Sequence, residues 1–152
     1  LAWIPYFLGD AGGVIGGWVA GFLQRRGTRI RNVRRITMYG SAVLCLTSIA
    51  VPYARQASAA LLLIGIAVLF ANFFSANMYG AITDLFPEKQ IGRATGLTGF
   101  SGGLSGLLFP LATGWMVDHI SYFPAFISVA ILPLLGAFSL FAIGRRYRRL
   151  GA

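Results

Sequence analysis

An all-α integral membrane protein with five transmembrane helices is the fold class that this sequence predicts. Three observations predict it. Of 152 residues, 57% are apolar and only 11% are charged, where a soluble domain carries about 25% charged residues. The apolar residues gather into five runs of roughly 18 or more, the length at which a helix crosses about 30 Å of hydrocarbon. The basic residues, which give a formal net charge of +9, fall between those runs. In a soluble protein that charge would suggest nucleic acid. Placed at the ends of apolar runs it reports membrane orientation instead, and no nucleic-acid partner is expected.

Span one is predicted over residues 3–23. Its glycines at positions 9, 13, 17 and 21 recur every four residues, with Gly12 and Gly16 beside them. Small residues at that spacing form a ridge on which another backbone approaches closely in a bilayer. Span two is predicted over residues 36–53 and lacks this device. Span three, residues 59–83, carries polar groups inside an apolar run: Asn72, Ser75, Asn77, Tyr79 and Thr83. Span four, residues 92–117, repeats the glycine pattern with the pairs Gly92 and Gly96, Gly99 and Gly103, Gly102 and Gly106. Span five, residues 122–143, lacks it again. Spans one and four are therefore expected as tightly packed inner helices, and spans two and five as lipid-facing walls.

The connections set orientation. Arg25, Arg26, Arg29, Arg31, Arg34 and Arg35 lie between spans one and two, Lys89 and Arg93 between three and four, and Arg145, Arg146, Arg148 and Arg149 after span five. One side thus collects twelve of the thirteen basic residues. The positive-inside rule makes that side cytoplasmic, with the N-terminus outside and the C-terminus inside. Cysteines introduced beside Arg31 and Arg148 are expected to react with a membrane-impermeant reagent only from the cytoplasmic side; labelling from outside would reverse the assignment. The chain opens on Leu1 outside with no signal peptide ahead of it, and the expectation is that it is the C-terminal part of a longer protein.

The stretch from Asn72 to Pro110 carries most of the functional information. At about 100° per residue, Asn72, Ser75, Tyr79 and Thr83 share one face of span three. Intramembrane polar groups need partners, so the stripe points to a polar cavity or to hydrogen bonds between helices. Asn77 stands about 140° from Asn72, nearer Gly80 and Asp84. Asp10 lies inside span one, where a carboxylate is expensive; it is a candidate for coupling to a proton or cation, or for a hydrogen bond to a neighbouring helix.

Four local patterns resemble the major facilitator superfamily. Trp3-Ile4-Pro5-Tyr6 looks like the entry to its eighth helix. Gly16-Gly17-Trp18, continuing to Arg25-Arg26-Gly27, looks like that helix running into the basic inner loop. Asp84-Leu85-Phe86-Pro87, followed by Gly92 and Arg93, looks like the turn between helices ten and eleven. Gly99-Phe100-Ser101-Gly102-Gly103, ending in Phe109-Pro110, looks like the glycine-rich helix eleven. The resemblance covers nearly the whole chain and implies helices eight to twelve, a partial C-terminal six-helix half spanning residues 1–152. Within the superfamily it is most similar to anion:cation symporters that import hexuronates and related sugar acids with protons.

Several expectations follow from the resemblance. The protein would be a secondary transporter of a small organic anion in a bacterial inner membrane, with proton or cation coupling, no cofactor and no enzymatic activity. Its partners would include the lipid bilayer and the N-terminal half and helix seven of the same transporter; without them the chain is not expected to transport. Asn72, Ser75, Asn77, Tyr79 and Ser101 are the candidate substrate contacts. Asp10, Asp84, Arg25, Arg26 and Arg93 are the candidates for coupling or gating. One departure stands out. The inner loop of the superfamily often has an acidic residue four positions after the glycine matched by Gly17, and here that position is Gly21. Asp84 and Glu88 are alternative partners for Arg25, Arg26 or Arg93. Drug or metabolite efflux, and a scaffold without transport, are the competing readings; a scaffold would have no need of the polar stripe.

Two chemistries are excluded. Ser101 sits in a glycine-rich setting that matches hydrolase patterns, but the sole histidine, His119, is eighteen positions along the same predicted helix, about 27 Å away at 1.5 Å per residue. A nucleophilic serine needs a base within hydrogen-bond reach. A single histidine and the single cysteine Cys45 also leave no metal-ligand spacing.

Overall fold

The computed structural model describes residues 3–150, without the side chains of Leu85, Leu140, Phe141 and residues 143–150; the predicted basic tail therefore falls outside the described side chains. Five α-helices follow one another: α1 (Ile4–Arg25), α2 (Ile30–Leu44), α3 (Ala57–Leu85), α4 (Glu88–His119) and α5 (Phe123–Leu150), with a 3-10 segment, Cys45–Tyr53, continuing α2. Among the described residues, four spans are long and apolar enough to cross a membrane: α1, α2 with its 3-10 extension, α3 and α4 up to His119.

Local chemistry explains the boundaries. Pro5 stands in the first turn of α1, where its missing N–H costs nothing. At the other end Gly27 has φ 79°, the left-handed region that glycine enters without penalty. The Gly27 N–H donates to the Gln24 carbonyl (2.9 Å) and the Thr28 N–H to the Leu23 carbonyl (3.2 Å), the paired closure that ends many helices. The chain turns at once and α2 starts at Ile30, six residues before the predicted span. Phe86 is extended before Pro87, as the proline ring demands of its predecessor, so α3 stops at Leu85. The 3-10 segment contains Pro52 and runs longer than such turns usually do. It is tied across the bundle by the Ser48 hydroxyl, which donates to the Phe126 carbonyl of α5 (3.2 Å).

The core lies between α2, α3 and α5, where Met38, Ala42, Phe74, Ala81 and Ala137 are buried together. α1 packs along α3 through Gly9, Gly12, Gly16 and Ala20, all buried. This corrects the predicted ridge. Steps of four residues rotate by about 40° each, so the series 9, 13, 17, 21 winds about 120° around a helix of 3.6 residues per turn, whereas 9, 12, 16, 20 stays within about 80°. A Cβ at Gly13, Gly17 or Gly21 would meet nothing within 4 Å.

The helix roles also differ from expectation. α2, expected as a wall, supplies Val33, Thr37, Met38, Ser41 and Ala42 to the interior. α4, expected as an inner helix, buries no residue, and a Cβ added at any of its glycines would meet nothing within 4 Å. Glycine spacing announces a surface made for close approach but does not name what approaches.

Candidate functional site

α3 presents two polar faces. Asn77, Gly80 and Asp84, spaced by three and four residues, point toward α1 and α2. Asn72, Tyr79 and Thr83 stand on a face that is exposed in this structure.

The inward face holds a network across three helices. Asn77, 1% exposed, donates its amide to the Gly16 carbonyl of α1 (3.2 Å) and to the Phe73 carbonyl of its own helix (3.0 Å). Its side-chain oxygen accepts from Arg34 Nη1 of α2 (3.2 Å). Arg34 Nε donates in turn to Asp84 Oδ2 at 2.7 Å. The two charged side chains are 14% and 21% exposed, so water screens the pair less than a surface pair. Glycine makes room for this on both sides. A Cβ at Gly80 would stand 2.5 Å from the Arg34 guanidinium nitrogens, and one at Gly16 would stand 3.2 Å from Asn77 Nδ2. Asp84 is thus joined to Arg34, not to Arg25, Arg26 or Arg93. The shared face of Asn77, Gly80 and Asp84 was visible from spacing; which of six neighbouring arginines would meet it was not.

On the outer face, Asn72 donates to the Val68 carbonyl (3.1 Å), a bond within its own helix, and Thr83 donates to the Gly80 carbonyl (2.8 Å). Tyr79 is 42% exposed, and Ser75 is half-buried. Ser101 on α4 is exposed and donates to the Leu97 carbonyl (2.9 Å). The structure therefore brings Asn72, Ser75 and Tyr79 onto one strip of α3 and leaves Ser101 on a separate helix.

The remaining candidates stand apart. Asp10 is exposed and has no hydrogen-bond or ion-pair partner among the described residues. Arg25 is exposed at the end of α1, and Arg26 lies 4.4 Å above the Phe22 ring. Arg93 lines an open cleft of about 410 Å³ with Phe86, Gln90, Ala94 and Leu97, at the start of α4. Among the described residues no group of His, Cys, Asp and Glu is placed to hold a metal ion.

The family model for the Major Facilitator Superfamily matches residues 2–151. The chain belongs to the Major Facilitator Superfamily. This makes it part of a multi-pass membrane protein, in agreement with its long apolar helices. It is similar to curated transporters of sugar acids. It is 25% identical to a D-galactonate transporter of Escherichia coli O6:H1 over 97% of this chain and 34% of that protein. It is 28% identical to the hexuronate transporter of Escherichia coli K12, over 93% of this chain and 33% of that protein. A probable galactarate/D-glucarate transporter of Escherichia coli K12 shares 28% identity over 82% of this chain and 28% of its own length. The chain spans about a third of the length of these relatives. They are transporters, not enzymes.

Proposed function

We propose that this chain is the C-terminal part of a proton-coupled importer of a small organic anion of the sugar-acid class, in a bacterial inner membrane. The observation that carries the reading is the similarity, over nearly the whole chain, to transporters of galactonate and hexuronate. The polar strip on α3 supports it. An amide, a hydroxyl and a phenol at Asn72, Ser75 and Tyr79 suit the hydroxyls of a sugar acid; Asn72 and Tyr79 are exposed and Ser75 is half-buried between them. Transport then follows alternating access, with this bundle rocking against the rest of the transporter around a site near the midplane.

The other candidates take their proposed parts in this scheme. Asn77 acts on the site through the helices it joins, since its hydrogen bonds tie α1, α2 and α3 together. Asp84 works as a gating residue through Arg34. Asp10, a carboxylate about two turns into α1, is the coupling candidate. Arg25, Arg26 and Arg93 remain at the membrane edge of the bundle, and Ser101 adds a contact from α4.

The test is uptake by the intact protein in cells lacking their own sugar-acid importers. Asn72→Ala and Tyr79→Phe are each expected to raise the half-saturation concentration several-fold, because one neutral hydrogen bond contributes about 0.5–1.5 kcal/mol. Expression should stay near normal. Leu63→Ala on the same helix is the control, and equal impairment by it would make the strip structural. Uptake unaffected by a protonophore would remove proton coupling, and export of the labelled substrate would favour the efflux reading.

A further inference from the structure

The α1–α2 turn gathers charge that the bundle does not neutralise. Between Gln24 and Arg35 there are six arginines and no acidic residue. Arg34 is committed to Asp84. Arg25, Arg26, Arg29 and Arg31 are exposed and make no ion pair among the described residues. The Gly27 turn is what brings them together: its positive φ folds the end of α1 directly onto the start of α2, so that Arg25, Arg26, Arg29 and Arg31 all belong to one tight corner.

Next to this corner the protein exposes an aromatic ladder. Trp18 and Phe22 stack with ring centroids 5.6 Å apart at 15°, and the Arg26 guanidinium caps the Phe22 ring at 4.4 Å. Trp18 is 67% exposed and Phe22 40%. Residues 18, 22 and 26 rise along one side of α1, from rings to cation. α1 has 22 residues, about 33 Å of helix, which matches the hydrocarbon thickness of about 30 Å. Its last turns therefore sit where acyl chains give way to headgroups. Aromatic rings are suited to that level, and the arginines just beyond it lie at the level of lipid phosphates.

We propose that the α1–α2 turn is a binding site for an anionic phospholipid, with its phosphate held by Arg25, Arg26, Arg29 and Arg31 and its acyl chain lying along Trp18 and Phe22. Charge complementarity decides for an anionic lipid over a zwitterionic one. The stacked Phe22 ring holds Arg26 in place, which reduces the side-chain freedom lost when the guanidinium meets a phosphate. This inference is independent of which substrate the transporter carries.

The experiment is binding of fluorescent phosphatidylglycerol to the intact protein carrying this chain, purified in detergent, with phosphatidylcholine of the same acyl chains and inorganic phosphate as competitors. Phosphatidylglycerol is expected to bind, with phosphatidylcholine and phosphate competing poorly. Arg29→Gln/Arg31→Gln, which leaves four arginines in the loop to preserve orientation, is expected to weaken binding at least tenfold, at about 1 kcal/mol per basic residue near the surface. Phe22→Leu, which changes no charge, is expected to weaken it several-fold. On the unaltered protein the affinity should fall as salt rises from about 0.1 to about 0.5 M. Equal competition by phosphatidylcholine would mean an apolar surface without headgroup recognition. Full competition by phosphate would mean a free-anion site. Unchanged affinity in the double variant, or no salt dependence, would place the lipid elsewhere. Any of these results overturns the proposal.

Discussion

Gly12→Leu is expected to unseat α1 from α3 and to lower the stability of the bundle more than a substitution at any other of the described glycines. A methyl added at Gly12 overlaps the carbonyl oxygen of Leu69 and stands 2.8 Å from its carbonyl carbon and 2.9 Å from its Cα. Those are backbone atoms of a helix and cannot rotate aside, so the two helices must move apart. The contact runs from Gly9 to Ala20, and separating it forfeits dispersion along its whole length. Association of helices in lipid depends on that packing because apolar burial supplies no drive there. Overpacking usually costs about 1–3 kcal/mol, and a clash with backbone belongs at or above the top of that range. A loss of about 3 kcal/mol corresponds to a melting temperature lower by about 6–12 °C for a chain of this size. Thermal unfolding of the purified protein in detergent measures it. Gly13→Leu, one position along and open on all sides, is the comparison and should leave the α1–α3 contact intact. A Gly12→Leu protein as stable as the Gly13→Leu protein would show that α1 and α3 do not meet along this ridge.

Arg34→Met should have the second-largest effect. It strips the partner from the Asp84 carboxylate and one of the partners from Asn77. Breaking a fully buried pair costs about 3–5 kcal/mol because the remaining charge is left uncompensated. With side-chain exposures of 14% and 21%, water screens the pair in part and the expected loss falls below that range, at about 1–3 kcal/mol. The decisive comparison is the double variant Arg34→Met/Asp84→Leu. Removing both partners leaves no orphaned charge, so much of the loss should return, with an interaction energy of about 1–3 kcal/mol in the double-mutant cycle. Additive effects would mean that the two side chains do not act on each other in the membrane. Gly80→Val provides an independent check. Its Cβ would stand 2.5 Å from the guanidinium, so it should reproduce part of the Arg34→Met loss with every charge retained.

Much of the architecture was legible in order along the chain. Span lengths, the glycine at Gly27, the Pro87 turn and the basic corner at residues 25–35 are local properties, and the helices begin and end within a few residues of expectation except at the start of α2 and the end of α5. At the start of α2 the prediction waited for the arginines to end, while the structure carries them on the first turns of the helix: a guanidinium is tolerated at a helix end because its long stem reaches water. The strip Asn72, Ser75 and Tyr79 was also legible, because helical periodicity alone assigns a face.

The identity of contacting partners was not legible in that way. Two glycine ridges on α1 differ by a rotation of less than half a turn, and only the position of α3 selects Gly9, Gly12 and Gly16 over Gly13, Gly17 and Gly21. Asp84 was expected against Arg25, Arg26 or Arg93, and the crossing of α2 over α3 gave it Arg34 instead by bringing that guanidinium over Gly80. That the chain crosses a membrane, roughly where its helices turn back and which faces are polar all follow from hydrophobic length, local backbone chemistry and periodicity. Which helix lies against which, and that Asn77 and Arg34 bind α1, α2 and α3 together, could be seen only in the folded bundle, because such contacts are set by distances between residues far apart in the chain.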